Sequence, residues 1–235
     1  MPLRYPKKAR VLFMLMSIIS AQVSVMVRRI CHDVIGLYRT DILSEDYEMW
    51  VRIAQKYDIA TIDEPLAFYR RHKSNITRLE NAARLEKDTL RFMRHYLEEM
   101  PMEELLPNIR SEAYGYVLKT AVYLVNDGIR IRTVEMAREK LDKALELDPH
   151  DPLIRLWKLV LRIHGDNQSY LVEDLSSFGE FQAQAEVLIQ LDQECQALRA
   201  SHALPSSPEM ADFRGRYGKI RNELIKESYR RATAV

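Results

Sequence analysis

The chain has 235 residues, 47% hydrophobic and 29% charged, with a formal net charge of +1. This is the composition of a globular protein with room for one or two domains and a sizeable core. The near-neutral balance gives no global field towards nucleic acid or an anionic membrane, so no nucleic-acid partner is expected. Glycine is scarce at seven residues, and neither GxGxxG nor GxxxxGK[ST] occurs, which argues against a nucleotide fold built on glycine-rich loops. Two cysteines, Cys31 and Cys195, stand far apart. They have no metal-type spacing and form no disulfide framework, which fits a reducing, cytoplasmic setting.

The chain opens with a basic, proline-bearing stretch. Val11 to Val27 is then apolar, bracketed by Lys7, Lys8 and Arg10 on one side and by Arg28 and Arg29 on the other. A signal or membrane anchor has this outline. The stretch is short for a span, and Ser17, Ser20, Gln22 and Ser24 interrupt it. It reads better as a buried helix followed by a strand over Ser24 to Val27. No transmembrane span is expected, and attachment to the inner face of a membrane is the weaker alternative. Arg28 to Ile35 reads as a short helix stopped by Gly36.

Ser44 is an N-cap candidate, because a serine hydroxyl can accept from a free first-turn N–H. Glu45 and Asp46 follow in the first turn, where the helix dipole favours negative charge. Met49, Trp50, Ile53, Ala54 and Tyr57 recur at helical spacing and predict the buried face of that helix. Asp58 to Ile62 and Leu66 to Arg70 read as short strands around the Glu64-Pro65 turn. Tyr69, Arg70, Arg71 and His72 close the region as a cationic and aromatic cluster. Arginine forks recognise phosphate, and a neutral imidazole can complete the shell of a divalent metal. Asn75 to Thr77 forms an N-x-T sequon, on which a glycan is not expected in a cytoplasmic chain.

From Arg78 onward the pattern is helical. Helices are predicted near 78–99, 109–126, 133–147, 152–164, 180–200 and 208–232. Pro101, Pro107, Gly128, the Asp148 to Pro152 run, Gly165 and the Pro205–Pro208 loop separate them. Ala137, Leu141, Ala144 and Pro149 are spaced 4, 3 and 5 apart, as in the second helix of a tetratricopeptide repeat, where small residues let paired helices approach closely. The neighbouring units fit this pattern poorly, so a single hairpin of this kind is expected near 111–164. Arg214 to Arg231 carries seven Lys or Arg against two Glu and reads as a solvated helix face.

Five blocks taken together resemble a known family. Arg28-Arg29, Val34 to Leu37, Ser44 to Arg52, Asp63 to Leu66 and Tyr69 to His72 match, in order and spacing, the C-terminal half of a family-2 glycosyltransferase domain of the GT-A fold, over residues 10–77. The resemblance implies an α/β fragment, a partial GT-A domain over 1–77 that lacks its nucleotide-binding half. An all-α region over 78–235 would follow, making the chain mostly α overall. It implies an inverting transfer of sugar from a nucleotide-sugar donor to an acceptor hydroxyl. Asp46 would be the catalytic base that deprotonates the acceptor, and Glu45 would orient it. Tyr69, Arg70 and Arg71 would meet the diphosphate, and His72 would ligate a divalent metal, Mn or Mg.

The complete family domain begins with a β-α-β half bearing an Asp-x-Asp motif. No Asp-x-Asp occurs here, and only about ten residues precede the matching region. The chain is therefore expected to be truncated and inactive alone. The competing reading is a non-enzymatic helical module that binds a protein partner, with the α/β piece a vestigial scaffold.

Overall fold

The structure, a computed structural model, describes residues 10–16, 22–60, 62, 64–68, 70, 82–125, 132–165, 174–204 and 207–233. All regular elements among them are helical, in two compact units, Met1–Asn108 and Ile109–Val235.

In the first unit, α1 (Arg10–Leu15) is short and buries five consecutive apolar side chains, Val11 to Leu15. It packs against α3 (Glu45–Lys56). Arg10 secures the contact by donating from Nε to the Ala54 carbonyl at 3.0 Å and by pairing with Asp58. Helix α3 follows its apolar spacing: Met49, Trp50, Val51, Ile53 and Ala54 are all buried. Helix α2 (Arg29–Ile35) also rests on α3, but Cys31 is its one buried residue. It ends at Gly36, whose φ of +91° is a conformation that side-chain-bearing residues rarely adopt. Helix α4 (Ala82–Arg94) continues into a π-helical turn, His95–Glu99, that buries Tyr96 and Leu97. The short helix α5 (Met102–Leu105) closes the unit over Leu105 and Leu106.

The second unit is built from α6 (Glu112–Val125), α7 (Arg132–Leu147), α8 (Pro152–Ile163), α9 (Gln182–Ala200) and α10 (Pro208–Thr233), with a 3-10 segment, Leu175–Phe181, before α9. The α6–α7 pair is the most extensively packed in the molecule. Ala121, Ala137, Leu141 and Ala144 are fully buried. The Thr120 hydroxyl lies 3.0 Å from the Tyr116 carbonyl of its own helix and 3.2 Å from the Ala137 carbonyl of α7. This close helix approach is what the tetratricopeptide-like spacing predicts.

Helix α10 runs antiparallel to α8. The start of α8 meets its end through Asp151 and Arg231, 3.5 Å apart; mid-helix Trp157 meets Ser228 at 3.1 Å; and His164, just past the end of α8, meets Tyr217 at 2.6 Å. Its last turn also accepts from the N–H groups of Arg110 and Ser111, ahead of α6, at the Ala232 carbonyl.

The structure corrects the α/β expectation. The described residues contain no β-strand. Ser24 to Val27 does not form one: Gln22–Ser24 is a 3-10 turn, followed by irregular chain. The described parts of Asp58 to Ile62 and Leu66 to Arg70 carry no ladder. A helix satisfies its N–H and C=O groups within its own turns, whereas a strand needs a neighbouring segment to bond to. An all-helical chain is inconsistent with a GT-A fragment, so the glycosyltransferase assignment and the partial α/β domain do not hold. The predicted helices from 78 onward do form, with ends shifted by a few residues.

Candidate functional site

The stretch singled out by sequence begins at the α3 N-terminus. Glu45 and Asp46 occupy the first turn as predicted, both partly buried. Ser44 does not cap the helix. Its ψ of 39° turns the hydroxyl away, and the buried Oγ makes no hydrogen bond among the described residues. The Ser44 carbonyl instead accepts from the N–H of Glu48 at 3.1 Å. Asp46 bends back on the helix and accepts from the N–H of Tyr47 at 2.7 Å. That bond satisfies a free first-turn donor, the ordinary structural use of an acid at this position.

The rest of α3 braces its surroundings. The Tyr47 hydroxyl donates to the Leu15 carbonyl at the end of α1, and its ring meets Phe92 edge-on at 4.8 Å. Asp88 of α4 accepts from the N–H of Leu43, just before α3, at 2.9 Å. Arg52 is a three-way clamp. Its Nε donates to the buried Glu48 carboxylate at 3.0 Å, and its two terminal nitrogens donate to the carbonyls of Ile35 and Leu37, each at 2.9 Å. The C-terminal end of α2 is thereby fixed to α3 through backbone atoms. Trp50 is buried and meets Tyr38 edge-on at 6.0 Å. Burial pushes the nearby Tyr96 phenol up to about 12, with the Glu48 carboxylate adding to the effect, so Tyr96 stays protonated.

Of the other half of the expected site, Arg70 is described, exposed on irregular chain. Tyr69, Arg71, His72 and the Asn75–Thr77 sequon lie outside the described residues. Among the described residues no three His, Cys, Asp or Glu side chains converge as a metal-binding group.

No protein-family model, curated protein or solved structure matches the chain.

What sequence reading passed over is an apolar surface. Among the described residues twelve large apolar ones are exposed, and nine of them lie between Val23 and Phe68 in the first unit. Met26 and Phe68 are almost fully exposed, at 98% and 96%. Monomeric proteins scatter such residues singly, and clustering marks a contact surface. On α2 the exposed Ile30 and Val34 stand four apart, on one side of the helix, while the exposed Met26 precedes the helix and Leu37 follows Gly36. That spacing was present in the sequence, but it reads equally well as a buried face. The described residues include no helix long and apolar enough to cross a membrane.

Two polar clusters tie the second unit together. Asp151 caps α8 by accepting from the N–H groups of Leu153 and Ile154, at 2.9 and 3.0 Å, and also accepts from the Tyr114 hydroxyl at 2.7 Å. Arg231 reaches the same carboxylate and bonds Glu227 and Glu180 as well, which raises its own pKa further. At the other end of α8, Arg199 donates to the Ile163 carbonyl at 2.7 Å, placing a cation on the negative end of the helix. Arg162 pairs with the buried Asp192 at 2.8 Å. Beside them the half-buried His164 has its pKa pushed down to about 3, first by desolvation and then by Arg221 and Arg199. Within each cluster these groups bond one another across packed helices and serve cohesion.

Proposed function

We propose that this chain is a non-enzymatic helical module that works by binding protein. The observation that carries the reading is the concentration of exposed apolar side chains between Val23 and Phe68, on a unit whose polar side chains are engaged in bracing. The close-packed α6–α7 hairpin supports it, because such hairpins make rigid scaffolds whose outer surfaces are free to vary. Asp46 accepts a bond from its own helix, so its role in this reading is structural.

The test compares two variants in cells whose phenotype depends on the chain. Leu66→Glu with Phe68→Glu, on exposed positions, should abolish function while leaving the circular dichroism spectrum unchanged. Asp46→Asn should preserve function. Loss of function with Asp46→Asn, and none with the paired glutamates, would overturn the reading.

A further inference from the structure

The two halves of α10 are held differently. Its C-terminal half buries Ile220, Leu224, Ile225, Ser228 and Ala232. That half is also pinned by Trp157 on Ser228, by Arg231 on Asp151 and Glu180, and by the N–H groups that reach the Ala232 carbonyl. The N-terminal half, up to Gly218, buries Phe213 and Tyr217. Its Arg216 pairs with Glu194 of α9 at the surface, where such a pair adds little.

Two glycines stand at the junction. Gly215 and Gly218 lie inside the helix, and a Cβ added to either would meet nothing within 4 Å among the described residues. Close packing therefore does not account for them. Inside a helix the two together favour the unwound form by about tenfold over a pair of alanines. They flank Tyr217, whose hydroxyl lies 2.6 Å from Nε2 of His164.

The surroundings of His164 couple this weak point to protons. The half-buried ring stands just past the end of α8. From α10 it meets the Tyr217 ring, 5.5 Å away, and feels Arg221. From α9 it feels Arg199, which donates to the Ile163 carbonyl beside the Cys195 thiol. The acids of these helices are engaged elsewhere: Asp192 with Arg162 and Gln196, and Glu194 and Asp212 with Arg216. Desolvation and two cations therefore oppose a charge on the ring in the closed form. Desolvation is the larger, and it is relieved when Tyr217 leaves. Above the ordinary histidine pKa of 6.5 the closed form is favoured, and below it falling pH favours the open one.

We propose that residues 208–218, the N-terminal half of α10, form a pH-operated flap, which unwinds at Gly215 and Gly218 as His164 takes up a proton while the C-terminal half stays docked. Opening bares Phe213, Tyr217 and the His164 ring. The device lies in the second unit and stands apart from the interaction reading, which concerns the first.

Hydrogen exchange of the full chain, expressed as protection relative to the intrinsic rate at each pH, tests this. Amides of residues 212–218 should be at least about tenfold less protected than those of 220–232, because they open without the rest of the unit. Between pH 7 and pH 5 their protection should fall by about tenfold, and His164→Gln should flatten that dependence. Gly215→Ala with Gly218→Ala should raise it by about tenfold at both pH values. Equal protection of the two halves overturns the proposal. So does a pH dependence that survives His164→Gln, or a protection indifferent to the paired alanines.

Discussion

The indole N–H of Trp157 donates to the hydroxyl of Ser228 at 3.1 Å, and both side chains are completely buried. The bond joins the middle of α8 to the last third of α10, where no water can replace either partner. Ser228→Ala leaves a buried donor unsatisfied and should cost about 1–3 kcal/mol of stability in the second unit. The chain has two tryptophans, Trp50 in the first unit and Trp157 in the second. Urea unfolding followed by fluorescence in a Trp50→Phe background therefore reports the second unit alone. An unchanged midpoint would show that the bond contributes nothing.

Arg52 offers the corresponding test in the first unit. Its carboxylate partner Glu48 is buried, with 7% of the side chain exposed, while Arg52 itself keeps 21%. Arg52→Met removes the charge that compensates Glu48 and the two donors to α2. Breaking a fully buried pair costs about 3–5 kcal/mol, and the partial exposure of Arg52 reduces this to roughly 1–3 kcal/mol. Adding Glu48→Gln should recover part of the loss, because an amide is cheaper to leave unpaired than a carboxylate. Trp50 fluorescence in a Trp157→Phe background is the readout. A double variant no more stable than the single would refute the charge-compensation account.

His164 makes the second unit sensitive to pH. Its folded pKa, about 3, lies below the ordinary value of 6.5, because burial and then Arg221 and Arg199 oppose a charged ring. Between these values the unfolded chain binds a proton that the folded chain does not. The contribution of His164 is therefore fully present above 6.5 and is lost as pH falls towards 3, by up to about 1.4 kcal/mol per pH unit. From pH 6 to pH 5, where few carboxylates titrate, wild-type stability should fall by about 1 kcal/mol more than that of His164→Gln. Equal slopes in the two proteins would show that His164 accepts a proton in the folded state.

Most helices were legible from local pattern. The α3 apolar spacing, the stop at Gly36, the Asp148 to Pro152 punctuation before α8 and the small residues Ala137 and Ala144 each act within a few positions of the chain. The strands were misread for the same reason. Ser24 to Val27 and Leu66 to Arg70 have strand-like composition, but composition supplies no neighbour to receive their backbone bonds. The glycosyltransferase resemblance depended on those strands to bring Asp46 and Arg70 to one cleft. In the structure Asp46 turns back on its own helix and accepts from the N–H of Tyr47.

The sequence by itself determined which segments from Arg78 onward are helical, because hydrogen bonding within a helix is settled over one turn. It also determined which face of α3 is buried and how closely α6 and α7 approach. Only the tertiary structure decided which apolar faces find cover. Trp157 and Met26 are both hydrophobic residues, but one lies between α8 and α10 and the other stands beside α2 with 98% of its surface open. Burial depends on distant segments meeting. Those segments had to come together before Arg52 could be seen to hold α2 by its backbone.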